Sequence, residues 1–508
     1  MFLDVGGQNM KNYVLFIGGT GARIYRSFLH ICAAGVMREE EIQVLLLDAD
    51  SKNKAVEDCQ ELYRLYQYHR DRLQSEDAQK AQETRAFYCK VHMPFKQVIS
   101  PVPIGVTYLE DVVGGNIEQK RAMSWFYSKE ERKQPLEKGF FAHPNIGCVF
   151  FQNFQDKNMQ TFLKQVNQEL QQGEDVKIVL VGSVFGGTGA SGLPNILKMI
   201  HAECNDHRDR LHCCGILVIP YFEVPELEGK KGGDGLVIRS REFSQNTRAA
   251  LSYYQKHSAF EQIYLVGKKT LDLVNDKYVD GGKEQDNKAH IVEICGALAV
   301  KAFLEGEHEG KAWSHIVSKE VVSWRNLEEE LNPVADMIRA QVVLKREIYP
   351  FIKSVPVEHK FMWRHNRQWF EAYCVGNAEN REQMLYMERY TADFLHWIYD
   401  VQTKLVSGER QLDRGIELCS ALVSEFAGPL GLSTGHQLQK WSGKPMLERF
   451  NSLIDTASNM EYLFDKVVLI LSCLGLVEPT LAGLGSVGLL IRLFDITGQK
   501  KKKRIAAK

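Results

Sequence analysis

Two short glycine-rich stretches carry the residue types from which chemistry can be argued. "GGTGAR" runs from Gly18 to Arg23, and "GSVFGGTGASG" from Gly182 to Gly192. Each follows an apolar run, Tyr13 to Ile17 in the first case and Ile178 to Val181 in the second. Glycine has no Cβ, so a ligand can approach the main chain closely. Successive backbone N–H groups ahead of a helix N-terminus form a concavity that favours anions. Thr188 and Ser191 add hydroxyl donors to the second stretch. Either stretch alone is matched by an ordinary tight strand-to-helix turn. Two of them at the carboxyl ends of strands in one sheet can close on a single phosphate chain from two sides. A P-loop is excluded, because that motif needs Lys and then Ser or Thr after its last glycine. Here Gly189 is followed by Ala190 and Ser191.

The surrounding elements must hold these stretches in place. "YVLFI" reads as a buried strand, and Ile24, Phe28 and Ile31 recur at helical spacing after it. "IQVLLLDADS" is a second apolar strand that ends in acidic residues. A charged segment from about 53 to 90 carries Leu62, Leu65 and Tyr66 at helical spacing and reads as a helical insertion. Pro94 to Pro144 is rich in loop formers. "NMQTFLKQVNQELQQG" reads as an amphipathic helix stopping at Gly173. "NILKMIHAEC" is a helix after the second glycine stretch, "CCGILVIPYF" and "QIYLVG" are strands, and "NKAHIVEICGALAVKAFLEG" is a long apolar helix. Alternating strands and helices predict a doubly wound, mostly parallel α/β sheet over residues 1–310. Residues 311–508 read as a mainly helical C-terminal domain.

The chain has 508 residues, enough for two or three domains. Its 44% hydrophobic and 25% charged residues are those of a globular protein. A net charge of −1 supplies no global field to draw nucleic acid or a membrane, and neither is expected as a partner. Eleven cysteines without metal or disulfide spacing, and no apparent targeting segment, predict a reducing cytoplasmic setting. The apolar stretch from Val467 to Phe494 is interrupted by Glu478 and Pro479 and followed by "KKKKR". It reads as a packed or partner-binding helical hairpin, with membrane association as the alternative.

"IVLVGSVFGGTGASGLPNILKMI" resembles the signature segment of the tubulin/FtsZ superfamily, in which a strand runs into GGGTG[ST]G and then a helix. Gly186, Gly187, Thr188, Gly189, Ser191 and Gly192 fit that pattern, with Ala190 where a hydroxyl residue usually stands. "FIGGTGAR" is similar to the family's first phosphate loop and "LLLDADS" to its second strand and loop. The resemblance spans roughly residues 11 to 310 and is nearest to divergent bacterial tubulin-like proteins. It implies GTP or GDP with Mg²⁺ and head-to-tail self-assembly. Through some of those relatives it also implies phage defence or a cytoskeletal role.

Carried onto this sequence, the resemblance places Gly18, Gly19, Thr20 and Gly21 on the α- and β-phosphates. Asp48 and Asp50 lie near the metal-bound end, with Asp50 as metal ligand. Gly186, Gly187, Thr188, Gly189, Ala190, Ser191 and Gly192 wrap the β- and γ-phosphates. Arg23 stands where relatives carry a polar residue near the base, which puts guanine selectivity in question. Asn287, His290 and Glu293 are base-contact candidates on the central helix, and Glu242 and Asn246 are candidates for the ribose. In the family an acidic loop of the next subunit completes hydrolysis. The corresponding stretch here, "GEHEGKAWSHIVSKE", lacks that pattern and offers Glu307 and Glu309 as carboxylates that can orient or deprotonate water.

Two other readings stand beside the GTPase. One is a non-catalytic scaffold on the same fold, docking a protein partner through its C-terminal helices. The other is a Rossmann dehydrogenase, mimicked by "GGTGARIY" and Asp48. The third glycine of its fingerprint is replaced by Ile24, and it has no use for the second glycine stretch.

Overall fold

The computed structural model describes residues 10–39, 41–50, 52–74, 85–224, 239–257, 259–268, 271–273, 282, 284–306, 314–316, 322–323, 332–345, 349, 378–406, 409–413, 416–417, 486–491 and 493. Glu307, Glu309, most of the apolar stretch from Val467 to Phe494 and the lysine run fall outside them. By its contacts the chain divides into two compact units. The first comprises Met1–Phe28, Glu41–Gln60 and Val91–Ser318, and the second comprises Leu29–Glu40, Glu61–Lys90 and Lys319–Lys508.

The first unit is built on a seven-stranded sheet. Its strands are β1 (Met10–Ile17), β2 (Glu41–Leu47), β3 (Lys90–His92), β4 (Asp175–Ser183), β5 (Leu211–Val218), β6 (Gln262–Val266) and β7 (Ser314–Ile316). Their spatial order is β3-β2-β1-β4-β5-β6-β7. The six strands from β2 to β7 pair in parallel throughout. Parallel strands lie under helices on both faces, which is why β1 and β4 read as continuous apolar runs rather than alternating ones. β1 is buried from Tyr13 to Ile17, and β4 from Val176 to Ser183.

Alternate residues of β1 serve the two faces. Tyr13, Leu15 and Ile17 join a core with Phe162 and Val166 of α6 (Lys157–Gln171) and Leu193 and Ile196 of α7 (Gly187–Glu203). Phe16 points to the other face, where its ring meets Tyr25 at 5.0 Å and Phe28 at 5.9 Å. Both belong to α1 (Gly18–Ala33). Each such buried side chain stabilises the fold by about 1.5–3 kcal/mol. On that second face, α9 (Ile291–Glu305) packs on α1 so closely that a Cβ at Gly296 would lie 2.9 Å from Ile24. The connections contribute α2 (Lys54–Asp71), α3 (Ile117–Phe126), α4 (Lys129–Lys133), α5 (Pro144–Gln152) and α8 (Ser240–His257).

Strand order changes direction between β1 and β4. From β1 the chain winds outward through β2 to β3, and from β4 it winds the opposite way to β7. The doubly wound sheet is therefore as the sequence indicates, and its switch point lies where the two glycine stretches emerge.

Three boundaries differ from the sequence reading. The glycines are not free loops: α1 begins at Gly18, immediately after β1, and α7 begins at Gly187. Pro194 does not delay α7 to Asn195: it lies inside the helix, beyond the first turn, where its missing N–H removes one i→i−4 hydrogen bond. The long apolar helix starts at Ile291, so Asn287 precedes it and His290 is its cap. The His290 side chain accepts from Val292 N at 3.1 Å while Glu293 accepts from His290 N at 3.2 Å, a capping box that fixes the start of the helix there.

The second unit contains α10 (Asn332–Val343) and α11 (Ala378–Gln402). Tyr390, Phe394, Trp397 and Ile398 of α11 are fully buried, and Trp397 stacks on His30 at 4.5 Å. Thr403–Val406 pairs antiparallel with Glu409–Leu412. Among the described residues no helix is long and apolar enough to cross a membrane.

Candidate functional site

A cleft enclosing about 750 Å³, open mouth included, lies at the carboxyl ends of β1 and β4. This is where doubly wound sheets place their ligands. Its floor is the first turns of α1 and α7. Gly18 turns sharply from strand to helix at φ +75°, a conformation that favours glycine. A Cβ there would also lie 3.3 Å from Gly189 N and 3.3 Å from Thr188 Cβ, so the two glycine stretches touch. The first amides of a helix have no intrahelical acceptor, and no side chain caps α7 at Gly186. Two helix N-termini with their partial positive charge thus converge on one space.

Carboxylates face the same space. Asp48 Oδ1 accepts from Thr188 Oγ1 at 3.3 Å and from Asp50 N at 3.2 Å. Asp48 Oδ2 is buried without a partner. Burial, and then the neighbouring charge of Asp50, push the Asp48 carboxyl up to about 7. Burial raises Asp50 as well, opposed by the amides of Gly282 at 2.7 Å and Lys52 at 3.2 Å. Among the described residues no group of three or more side chains could hold a metal ion alone. Two carboxylates, one with an orphaned buried oxygen, do fit a hard divalent cation completed by phosphate oxygens and water.

Arg23 forms another wall. Its Nε donates to Glu293 Oε1 at 2.7 Å and its Nη2 to Tyr221 Oη at 2.8 Å and Thr20 Oγ1 at 3.3 Å. Tyr221 in turn donates to Glu293 Oε1 at 2.8 Å. Burial works against the Arg23 charge, but Tyr221 and Glu293 outweigh it and raise its pKa. The guanidinium lies 5.3 Å from the centre of the Phe222 ring. Phe185, Phe222 and Phe243 form an aromatic cluster beside it.

A strap from Lys138 to Ala142 closes one side. Gly139, Phe141 and Ala142 have φ of 86°, 49° and 58°. Side chains in that conformation cost roughly 1–2 kcal/mol each. Asn246 Nδ2 holds the strap to the α7 approach, donating to Ala142 O at 2.9 Å and Phe185 O at 3.0 Å. Phe140 sits over α7, where a Cβ at Gly187 would be 2.6 Å from its own Cβ.

A family model described as "tubulin like" matches residues 15–277, just over half of the chain and both glycine stretches. The chain belongs to the tubulin-like family. At the level of the family, membership carries GTP binding and polymerisation. The comparison with curated proteins gave no match.

Within this tubulin-like chain, the cleft gathers Gly18, Gly19, Thr20, Arg23, Asp48, Asp50, Gly186, Gly187, Thr188, Gly189 and Asn287. It does not gather Gly21, Ala190, Ser191, Gly192, His290 or Glu293. Gly21 and Gly192 sit at packing contacts: their Cβ atoms would lie 2.9 Å from the Phe16 carbonyl carbon and 2.8 Å from Ile17 Cγ2. Ser191 donates to Gly187 O at 2.7 Å, so its hydroxyl serves its own helix. His290 bonds Asp272 at 3.0 Å through Nε2. Of the ribose candidates, Glu242 pairs with Arg239 at 3.9 Å, and Asn246 is the strap's clamp.

The cleft also contains residues that the sequence did not single out: Asn53, Lys138 to Ala142, Ser183, Phe185, Phe222, Val224, Phe243 and Gln285. Asn53 follows the acidic end of β2 by three residues and could have been found from that spacing. The strap carries no motif.

Proposed function

We propose that the cleft binds a nucleoside triphosphate with Mg²⁺, GTP being the family's nucleotide, and that binding governs head-to-tail association of copies. The observation that carries this reading is the convergence of the N-termini of α1 and α7 at the switch point. The amides of Gly18, Gly19, Gly187 and Thr188 would cradle phosphate oxygens, while the Thr188 hydroxyl, which donates to Asp48 Oδ1, would orient that carboxylate. Asp48 and Asp50 would hold the cation, which supplies neutralisation of phosphate charge when bound. The aromatic cluster beside Phe222 would exclude water from the nucleoside end. Glu307 and Glu309 stay candidates for orienting the attacking water across a subunit boundary. A head-to-tail contact is heterologous and gives a filament unless its rotation closes a ring.

Gly19 is the position to test. A Cβ there lies 3.3 Å from the end of the Asn53 side chain, which can move, and meets no backbone within 4 Å outside its own turn. Gly187 is less suitable, because any side chain there collides with Phe140. Gly19→Asp is expected to lower triphosphate affinity at least 100-fold, while Gly19→Asn, of the same shape, loses far less. Wild-type chain saturated at about 100 times the dissociation constant should gain about 2.7 kcal/mol of stability. A Gly19→Asp protein that binds GTP as the wild type does would remove the phosphates from this cleft.

A further inference from the structure

The strap brings a charge to the cleft that the glycine stretches do not. Lys138 lines the cleft and ends a 3₁₀ turn, Leu136–Lys138. That turn is anchored by the buried Leu136 side chain and by Leu136 N, which donates to Thr107 O at 2.9 Å. Gly139 caps it at φ +86°, donating to Leu136 O at 3.0 Å. A Cβ at Gly139 would lie 3.6 Å from Asp50 Cβ. One residue further, the Phe140 carbonyl oxygen would be 3.1 Å from a Cβ at Gly187, the first residue of α7. Lys138 therefore lies within two residues of contacts to both Asp50 and the α7 N-terminus. Its charge is felt there: burial raises the Asp50 carboxyl, the amides of Gly282 and Lys52 oppose that, and after them Lys138 does too.

Charge at that end is one-sided without the lysine. Asp48 and Asp50 face the space from the protein, and phosphate oxygens would face it from the ligand. One divalent cation leaves negative charge over, and each helix N-terminus supplies only about half a positive charge. Arg23, the other basic residue among the described lining, is committed to Glu293, Tyr221 and Thr20. A lysine ammonium is a full point charge with three donors, so it can keep a protein partner and still donate to phosphate.

We propose that Lys138 binds the terminal phosphate of the nucleotide and so makes the cleft prefer a triphosphate to a diphosphate. The proposal rests on the triphosphate reading given above. A diphosphate lacks that group and its charge, so the lysine contributes less to holding it. A hydrogen bond to a charged group of this kind changes affinity by roughly ten- to a hundredfold.

Isothermal titration of the full chain with GTP and with GDP, each with Mg²⁺, tests it. In Lys138→Gln the GTP-to-GDP affinity ratio is expected to fall at least fivefold, and in Lys138→Arg, which keeps the charge, to fall less. A fall smaller than fivefold in the glutamine variant, or an equal fall in the arginine variant, overturns the proposal and leaves the triphosphate site standing. Binding of neither nucleotide by the wild type overturns the site itself, and the proposal with it. Should Lys138→Gln not fold, Lys138→Met removes the charge in its place and is read in the same way.

Discussion

At the scale of single residues, Asp48 is the most informative group. Its carboxyl titrates near 7 in the folded chain, against an ordinary value of 3.8. A raised carboxyl favours the folded state while it is protonated, and that contribution is lost as pH rises from about 4 through about 7. Asp48→Asn removes this loss. Denaturation of the nucleotide-free proteins should show equal stability near pH 4 and a variant more stable by up to about 4 kcal/mol at pH 8. Equal stability at both pH values would mean that Asp48 is not desolvated. This property was not legible in the sequence. The string "LLLDADS" shows two acids after a strand, but the hydroxyl that bonds Asp48 Oδ1 comes from Thr188, 140 positions away. The same holds for Arg23, whose partners Tyr221 and Glu293 come together only when α1 and α9 share a face. Glycine positions were easier to read, because the absence of a side chain is visible wherever the backbone goes.

At the scale of elements, periodicity and apolar runs marked β1, β2, β4, β5, β6, α6 and α9 because buried parallel strands and amphipathic helices leave strong local patterns. Helix starts were misplaced where tertiary contact sets them, as at Gly187 and Ile291. The strap from Lys138 to Ala142 left little trace: of its three left-handed residues only Gly139 is of a type that signals such a turn, while Phe141 and Ala142 are not. Tertiary hydrogen bonds therefore have to maintain it, and Asn246 supplies two. Asn246→Ala should lower stability by about 1–3 kcal/mol, at 0.5–1.5 kcal/mol for each bond. Hydrogen exchange should rise at residues 139–143 while the amides of β4 stay protected. Unchanged exchange in the strap would show that the strap holds itself.

For the whole molecule, the tubulin-like match and the sheet order make a shared active site the main functional expectation. Phosphate release from GTP should rise more steeply than in proportion to protein concentration, because each cleft would be completed by another copy. Strict proportionality would place every catalytic group within one chain, and no release at any concentration would leave a scaffold that binds without hydrolysis. By contact, Leu29–Glu40 and Glu61–Lys90 join the second unit although they lie within the first 310 residues. Composition cannot reveal that, because contact rather than sequence order defines it. The central ladder of the sheet has a further consequence. Ile178 pairs with Tyr13 and follows it by 165 residues. During synthesis at 5–20 residues per second, one edge of the buried strand β1 waits roughly 10–30 s for its neighbour to leave the ribosome. Nascent chains halted before β4 emerges should therefore need chaperone protection, and those halted after it should not.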